Sequence, residues 1–299
     1  MRIVSEPELA ARTSLGLGGR ALVEVSLEQA EDWERLDRVL EQEGGRPLAL
    51  GQGSNLLFAD GHLELVLIRS KLESLEIIKE QKASLLFRAG SGLRLPALQR
   101  FLLRNGLSGL EGLVGVPASL GGAAAMNAGA YGQDLSQVLH RVLIWSREKG
   151  LLWLGREDLE LGYRSFQPLG VQGFWLLLQV ELLLQKKDKE QVRSLMQSNY
   201  ARKKAAQPLL AKTCGCVFQN PADGPSAGYL LDSCGLRGYS LGGVGFSGQH
   251  ANFLVHLGGG SSEQALELIQ LARTRVQERF QLDLKLELCI PGRQMQGDL

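Results

Sequence analysis

Cysteine is scarce in this sequence, with four residues in 299, at positions 214, 216, 234 and 289. So few thiols exclude a small disulfide-stabilised extracellular scaffold and indicate a reducing compartment. Cys214 and Cys216 are close enough in sequence to share a metal ion, but no second pair and no nearby histidine completes the ligand set of a closed site. We therefore predict that the protein holds no metal.

An excess of charge is also missing, because 33 lysines and arginines face 32 aspartates and glutamates. The basic surplus that is typical of nucleic-acid-binding proteins is absent, and a hydrophobic content of 44% argues against disorder. No uninterrupted apolar run is long enough to cross a bilayer, and residues 1–12 lack the apolar core of a signal peptide. We expect a folded cytoplasmic protein that binds neither nucleic acid nor membrane.

Glycine, in contrast, is concentrated in residues 109–132, GLEGLVGVPASLGGAAAMNAGAYG, called here the glycine-rich segment. It contains seven glycines and a single charge, Glu111. With so few side chains to pack, a regular helix or strand cannot run through it. It offers instead backbone N–H groups that can close on a flat or anionic ligand. A buried connection in a large α/β protein is the alternative interpretation.

Apolar periodicity and turn residues predict a mixture of helices and strands in a chain long enough for two domains. Residues 21–25 form an apolar segment, and the predicted strands are residues 46–50, 56–58, 63–68, 84–88, 142–145, 151–154, 173–184, 253–256 and 282–290. The predicted helices begin at Ser26, Leu95, Asp188, Ser226 and Ser261, with capping boxes pairing Ser26 with Gln29 and Ser261 with Gln264. The charged segment at residues 185–190 is the best domain boundary.

A second glycine-rich loop, GQGSN at residues 51–55, lies between two of the predicted strands. A dinucleotide-binding βαβ unit needs its glycine loop to lead into a helix, so this order excludes a Rossmann fold. The loop can cradle an anion with its N–H groups and the Ser54 hydroxyl. An ordinary hairpin turn is the alternative.

Three further segments carry candidate functional side chains without deciding their roles. Arg164 lies in LGYRSF with no acidic residue closer than Glu160, so its charge meets a ligand or a distant carboxylate unless it is simply solvated. Glu287 lies on the last predicted strand, where a lone acid is usually solvated. Cys216 lies in the glycine-kinked run TCGCVFQNP.

The order of these segments is more specific than any one of them. The motifs are TSLGLGG, GQGSN, the glycine-rich segment, GYRSF, CGCVFQNP, SAGYLLDSCGLRG, HANF and LELCIPG. In this order and spacing the chain resembles the UDP-N-acetylenolpyruvoylglucosamine reductase family over almost its whole length. It has no room for the tyrosine-bearing insertion of one subgroup, so it is similar to the shorter subgroup.

The resemblance implies an α+β protein with a two-lobed FAD-binding domain of the vanillyl-alcohol-oxidase (PCMH) type and a smaller α/β substrate-binding domain. The FAD domain would cover residues 1–187, in lobes of about 1–66 and 67–187, and the substrate domain residues 188–299. A cytoplasmic monomer would hold FAD non-covalently and use NADPH to reduce UDP-N-acetylglucosamine enolpyruvate to UDP-N-acetylmuramate. That reaction serves peptidoglycan synthesis, and through it cell-wall biogenesis, cell shape and cell division.

The resemblance also implies site residues, motif by motif. The catalytic residues would be Arg164, Cys216 and Glu287. The FAD contacts would be Gly51, Gln52, Gly53, Ser54, Asn55, Pro117, Ala118, Ser119, Gly121, Gly122, Asn127, Gly129 and Ala130. The substrate contacts would be Tyr131, Tyr163, Asn220, Arg202 and Lys203, the last two toward the UDP diphosphate.

Two positions depart from the family pattern. Cys216 stands where the family most often has serine, which changes the chemistry of the proton donor, and Gln219 stands where lysine is frequent. In the implied reaction a hydride adds to the terminal enolpyruvyl carbon, and Arg164 stabilises the charge that develops beside the carboxylate. The group at 216 delivers a proton, and Glu287 orients the intermediate. An FAD-dependent oxidase of another small substrate and a flavin-binding protein without turnover are the alternatives.

Overall fold

The computed structural model of the protein describes residues 1–291, in which strands outnumber helices. The helices are α1 (Leu36–Glu43), α2 (Leu95–Asn105), α3 (Leu120–Ala125), α4 (Lys189–Ala206), α5 (Ala227–Ser233) and α6 (Ser262–Phe280). The strands are β1 (Arg2–Ser5), β2 (Arg20–Leu27), β3 (Arg46–Ala49), β4 (His62–Ser70), β5 (Leu75–Glu80), β6 (Ser84–Gly90), β7 (Leu107–Ser108), β8 (Gly129–Ala130), β9 (Gln133–Asp134), β10 (Leu139–Ser146), β11 (Gly150–Gly155), β12 (Leu159–Gly162), β13 (Ser165–Pro168), β14 (Trp175–Lys186), β15 (Thr213–Cys216), β16 (Ser240–Leu241), β17 (Val244–Phe246) and β18 (Phe253–His256). Contacts among these elements divide the chain into two units.

The first unit comprises residues 1–5, 23–52 and 64–203. Its larger sheet has the strand order β11-β10-β14-β6-β5, with neighbouring strands antiparallel and β7 beside β14. The sequence of β14, WLLLQVELLLQK, is apolar on both faces, which suits a central strand. The core on one face includes Phe87, Leu98, Ala123, Val180 and Met196, and it contains side chains of α2, α3 and α4.

A smaller sheet has the strand order β1-β2-β4-β3, in which β3 and β4 run parallel. The connection between these parallel strands is the loop at residues 50–61 rather than a helix. The predicted exclusion of a Rossmann unit is therefore confirmed. Side chains of this sheet share a core with α1 and the larger sheet, including Val25, Leu36, Val66, Trp145 and Leu176.

The second unit comprises residues 6–22, 53–63 and the chain from Lys204 onward. Its sheet has the order β15-β18-β17-β16, with antiparallel neighbours. Helices α5 and α6 contribute to a core that includes Leu231, Val244, Leu254 and Ile269. The capping box at Ser261 and Gln264 is present as predicted, and α6 begins there.

One predicted capping box is displaced along the chain. Ser26 does not cap a helix, because it continues β2 opposite Arg2. The capping box lies instead at Gln29, whose partner is Asp32, and it opens a short 3-10 turn that leads into α1. Pairing with a neighbouring strand keeps Ser26 extended, and a local motif cannot report that pairing. Gly44 ends α1 with a positive φ of 64°.

Two predicted strands, at residues 56–58 and 282–290, are wrong. Their pairings in the described chain are the isolated bridges Leu56–Cys289 and Phe218–Leu286. Their backbone groups bond to loops rather than to one continuous neighbour. Alternating hydrophobicity indicates an extended segment and does not reveal whether a partner strand runs beside it.

The sequence pattern also misses β5, β12 and β13. The β5 strand, LEIIKE, lies at the edge of the larger sheet and is exposed at five of its six positions, so it carries little apolar alternation. Strands β12 and β13 form a hairpin whose two-residue turn is Tyr163 and Arg164. This turn contains Arg164, a predicted catalytic residue.

Candidate active site

A buried carboxylate holds the glycine-rich segment from one side. Glu111 is 1% exposed, and its Oε2 accepts hydrogen bonds from the Gly109 N–H at 2.8 Å and from Gln133 Nε2 at 2.7 Å. Gln133 Oε1 in turn accepts the Gly112 N–H at 2.6 Å. Burial raises the pKa of Glu111, but hydrogen bonds from Ser108 and Gly109 outweigh burial and leave the pKa lowered. Glu111 therefore stays ionised and fixes the start of the segment.

A buried lysine of α4 holds the same segment from the other side. Lys203 is 3% exposed, and its Nζ donates to the Val114 carbonyl at 2.8 Å and to the Gly112 carbonyl at 3.2 Å. Burial lowers the pKa of Lys203 to about 8. The Tyr131 ring centroid lies 5.7 Å from this Nζ and 4.5 Å from the guanidinium carbon of Arg202. Because the Lys203 donors are engaged, exposed Arg202 is the better placed of these two cations to meet a diphosphate.

Arg164 lies in the turn of the β12–β13 hairpin with a positive φ of 54°, an uncommon conformation for a residue other than glycine. Its Nη2 donates to the Gly129 carbonyl at 3.0 Å, and its guanidinium carbon lies 5.1 Å from the centroid of the Tyr163 ring. Asn127 Nδ2 donates to the Gly162 carbonyl at 2.8 Å. The hairpin is therefore tied to the glycine-rich segment, with Arg164 half-buried and Tyr163 exposed.

The predicted flavin-lining residues Asn127, Gly129 and Ala130 are closely packed within the first unit. Asn127 is buried, and its Oδ1 accepts the Ser136 N–H at 2.9 Å, so both ends of its side chain bond to the protein. A Cβ on Gly129 would lie 2.5 Å from the Gln133 carbonyl oxygen, closer than any side chain tolerates. Asn127 therefore shapes the segment through its side chain, and Gly129 through close backbone packing.

The second flavin-lining stretch, residues 117–122, leads into α3. Ser119 caps this helix, and its Oγ accepts the Gly122 N–H at 3.3 Å. The Gly121 N–H donates to the Ser91 carbonyl at 2.8 Å. The helix-start donors at Gly121 and Gly122 are thus engaged within the protein. The Ser91 hydroxyl, in contrast, is buried and has no hydrogen-bond partner among the described residues, and no motif in the sequence singles it out.

Both glycines of the GQGSN loop lie against other parts of the chain. A Cβ on Gly51 would lie 2.8 Å from Ser119 Oγ. Gly53 has a φ of 65°, and a Cβ there would lie 2.0 Å from the Arg12 carbonyl oxygen. Within residues 1–291 no acceptor is found for the backbone N–H groups of Gln52, Gly53 and Ser54. Such a row of open donors suits an anionic ligand.

In the second unit, Cys216 and Glu287 lie on adjacent segments. Cys216 ends β15 opposite Phe253 of β18. The carbonyl of the next residue, Val217, accepts the Glu287 N–H at 2.8 Å. The Glu287 carbonyl accepts a bond from Asn55 Nδ2 at 2.8 Å, which ties the end of the GQGSN loop to this segment. The fold of this unit therefore places the backbones of Cys216 and Glu287 on neighbouring segments.

Two other residues of the same unit have internal roles. Cys214 is 1% exposed, and burial raises the pKa of its thiol to about 12. It therefore stays protonated, which disfavours both metal ligation and attack on a flavin. Asn220 is exposed, and its Oδ1 accepts the Ala227 N–H at 3.1 Å at the start of α5.

No group of three histidine, cysteine, aspartate or glutamate side chains in residues 1–291 is placed to hold a metal ion. A search of the same residues finds no helix with the length and apolar content that a membrane crossing requires. Arg164, Tyr131, Arg202 and Lys203 belong to the first unit, and Cys216, Asn220 and Glu287 belong to the second.

Comparison with known proteins extends over both units. A profile described as UDP-N-acetylenolpyruvoylglucosamine reductase, C-terminal domain, matches residues 207–291, and an FAD binding domain profile matches residues 21–152. The UDP-N-acetylenolpyruvoylglucosamine reductase of Nitratidesulfovibrio vulgaris is 44% identical over 291 residues, which cover 97% of this chain and 98% of that protein. The Bacillus subtilis reductase is 33% identical over 293 residues, which cover 97% and 94% of the two chains.

A solved structure agrees with these sequence matches. The crystal structure of the reductase from Thermus caldophilus matches with a TM-score of 0.80 at 33% identity, and the match covers 97% of this chain and 99% of that chain. The predicted α+β class with an FAD-binding domain is confirmed. Because relatives of one name match along nearly its full length, the chain belongs to the UDP-N-acetylenolpyruvoylglucosamine reductase family.

Proposed function

We propose that this protein reduces the enolpyruvyl group of UDP-N-acetylglucosamine enolpyruvate to form UDP-N-acetylmuramate, with NADPH as the reductant. The similarity over 97% of the chain to a reductase named for this substrate carries the proposal. The residue types that the chemistry requires are present, with a guanidinium at Arg164 in the first unit and a thiol and a carboxylate at Cys216 and Glu287 in the second.

The residues present fit FAD. The open N–H groups of Gln52, Gly53 and Ser54 supply donors of the kind that a diphosphate needs, and Gly53 allows close approach of the backbone. The buried hydroxyl of Ser91 lacks a partner in the described chain, which is unusual unless a ligand completes its hydrogen bonding. We assign Ser91 to the cofactor contacts, together with the residues of the GQGSN loop and the flavin-lining stretches.

FAD, when bound, is the group through which a hydride passes from NADPH to the terminal carbon of the enolpyruvyl group. Arg164 holds the substrate carboxylate with its planar fork and stabilises the negative charge that develops on the neighbouring carbon. The bond from its Nη2 to the Gly129 carbonyl and the contact with Tyr163 restrict the guanidinium before substrate binds. The charge is therefore positioned in advance, which lowers the cost of reorganisation.

Cys216 and Glu287 complete the reduction by protonating the intermediate. The Cys216 thiol delivers it to the carbon that bears the carboxylate, so that a hydride and a proton together saturate the double bond. Glu287 orients the intermediate, and the Cys216 thiolate recovers its proton from solvent. The backbone bond between Glu287 and Val217 keeps these residues on neighbouring segments.

Tyr131, Tyr163 and Asn220 contact the substrate, and Arg202 binds the UDP diphosphate. Tyr131 stacks against Arg202, which aligns an aromatic face and a cation on one exposed edge of the first unit. Lys203 supports this edge by fixing the glycine-rich segment beneath it.

The proposal includes non-covalent FAD, because Cys214 is protonated and buried and the family mode needs no linkage. Protein precipitated with acid should release all of its yellow colour to the supernatant, and colour retained in the pellet would contradict this. We also propose a monomer in the cytoplasm that binds neither nucleic acid nor membrane, supported by the nearly balanced charge. The division into an FAD domain at residues 1–187 and a substrate domain at 188–299 stays a prediction.

One anaerobic experiment separates the three functions considered. The purified yellow protein is reduced with NADPH, and the enolpyruvyl nucleotide is then added without oxygen. Reoxidation of the flavin with formation of UDP-N-acetylmuramate is expected. A flavin that stays reduced with the nucleotide and is reoxidised only after oxygen is admitted would indicate an oxidase of another substrate. A protein that neither accepts electrons from NADPH nor passes them on would be a flavin-binding protein without turnover.

A further inference from the structure

Asn252 lies directly before β18 and is 2% exposed. Its Oδ1 accepts the Phe218 N–H at 2.9 Å, and its Nδ2 donates to the Phe218 carbonyl at 2.8 Å. The Asn252 backbone carbonyl accepts the Val217 N–H at 2.9 Å. A primary amide that pairs with both backbone groups of one residue takes the place of a neighbouring strand.

The opposite edge of this short segment meets the segment that carries Glu287. The Val217 carbonyl accepts the Glu287 N–H at 2.8 Å, and the Gln219 N–H donates to the Lys285 carbonyl at 2.9 Å. Residues 217–219 are therefore hydrogen-bonded along both edges. Cys216 immediately precedes these residues. The position of Cys216 relative to Glu287 therefore depends on backbone that bonds to Asn252.

We propose that Asn252 is a positioning residue that sets the spacing between Cys216 and Glu287 for proton delivery. The inference rests on the proposed function, in which these two residues serve the protonation step. Asn252 acts through Phe218 and Val217, and the burial of its amide leaves it no route to the substrate. A misplacement of about 1 Å in such a pair can cost about a hundredfold in rate.

The substitution Asn252→Asp tests this with almost no change of shape. A neutral carboxylic acid can accept from the Phe218 N–H and donate to the Phe218 carbonyl, as the amide does. An ionised carboxylate can only accept, and it sets a negative charge against that carbonyl. Burial raises the pKa of such a carboxyl above the ordinary aspartate value of about 3.9. The variant therefore has an intact pairing at low pH and a broken one at higher pH.

The experiment measures both half-reactions of Asn252→Asp by anaerobic stopped flow from about pH 5.5 to about pH 8.5. Flavin reduction by NADPH should match the wild type at every pH. Flavin reoxidation by the enolpyruvyl nucleotide should approach the wild-type rate at low pH and fall at least about tenfold as the introduced carboxyl ionises, in kcat rather than KM. The other titratable groups on the segments packed here, His250, Cys216, Lys285 and Glu287, are common to both proteins, so the ratio of rates isolates the introduced group.

A matched control in the same unit is Gln264→Ala. It removes bonds from the Gly243 and Ser261 N–H groups to the Gln264 side chain, away from residues 217–219. It should lower Tm and leave both half-reactions at their wild-type rates. If Asn252→Asp does not fold, Asn252→Ser replaces it, and a selective loss of about tenfold in reoxidation is expected.

Equal loss in both half-reactions, or wild-type reoxidation at every pH, would overturn the assignment of Asn252. The wild type tests the proposed function separately from the role of Asn252. If its own reduced flavin is not reoxidised by the enolpyruvyl nucleotide, the proposed function fails rather than the role of Asn252.

Discussion

The two units bury titratable groups that respond to pH in opposite directions. In the first, burial lowers the pKa of Lys203 to about 8, and in the second, burial raises the pKa of Cys214 to about 12. The physical cause is the same, because removal from water disfavours whichever form is charged. The uncharged form is the deprotonated one for lysine and the protonated one for cysteine. One cause therefore gives opposite slopes of stability against pH.

The signs follow from proton binding. Between pH of about 8 and the ordinary lysine value of 10.5, the unfolded chain binds more protons than the folded chain at Lys203, so the free energy of unfolding rises with pH. Between the ordinary cysteine value of 9.0 and about 12, the folded chain binds more protons at Cys214, so the free energy of unfolding falls as pH rises. The two effects overlap in moderately alkaline solution.

In the proposed reaction the units also differ in the chemistry they contribute. There the first unit supplies a fixed charge, Arg164, in a hairpin turn where its φ is positive. The second unit would supply the proton through Cys216 and Glu287, on segments next to the amide of Asn252. Substitutions in the two units should therefore disturb different steps of the same reaction.

The largest effect is expected in the second unit, for Cys216→Ala. A positioned general acid contributes roughly 10²–10⁴ in rate, so reoxidation of the flavin by the enolpyruvyl nucleotide should fall by about that factor. Flavin reduction by NADPH should persist. Cys216→Ser should recover much of the loss, and its activity should persist to higher pH, because a hydroxyl stays protonated where a thiol ionises.

The control is Cys234→Ala, which removes a thiol whose Sγ bonds to the Arg275 carbonyl elsewhere in the unit. It should leave both half-reactions unchanged. Wild-type turnover by Cys216→Ala would show that this thiol only fills space.

The corresponding change in the first unit is Arg164→Lys, which keeps the charge and loses the planar fork. Loss of one transition-state donor typically costs about 10²–10³ in rate, so stopped-flow traces should show that loss in flavin reoxidation only. Exposed Arg147→Lys serves as the control and should behave as wild type. Equal loss in both half-reactions would indicate that Arg164 is structural or also contacts NADPH.

A smaller effect is expected for Ser91→Ala, which tests the cofactor contact without reference to turnover. Loss of one hydrogen bond worth about 0.5–1.5 kcal/mol should weaken FAD binding by about two- to tenfold. Titration of the apoprotein, followed by flavin fluorescence, measures this. Ser146→Ala is the matched control, since its buried Oγ already accepts the Lys149 N–H, and it should not change FAD affinity. Unchanged affinity in Ser91→Ala would remove Ser91 from the cofactor site.

Local signals in the sequence predicted a large part of the fold. The start of α6 was predictable because Ser261 and Gln264 are three residues apart and satisfy each other. The loop at residues 51–55 was predictable as a loop because Gly51 and Gly53 lie two positions apart in sequence. The segment that carries Glu287 shows apolar alternation, but the alternation did not reveal that it pairs only through isolated bridges with residues elsewhere in the chain.

Residues that hold the candidate site in place gave no such signal. Asn252 bonds to Phe218, 34 residues away, and Lys203 bonds to Gly112, 91 residues away. A lysine in a basic helix end reads as solvated, and nothing in ARKKAA indicates which of its cations turns inward. Ser91 is one serine among several, and only burial without a partner distinguishes it. Side chains that bond to backbone far away in the sequence can be identified only from the folded structure.

The contrast between the two units is tested most directly by urea unfolding of Lys203→Met and Cys214→Ala beside the wild type, from about pH 9 to about pH 10.5. The wild-type stability relative to Lys203→Met should rise with pH, and its stability relative to Cys214→Ala should fall, each by at most about 1.4 kcal/mol per pH unit. Stability differences that do not change with pH, or that change with the same sign in both pairs, would contradict the opposite pKa shifts of Lys203 and Cys214.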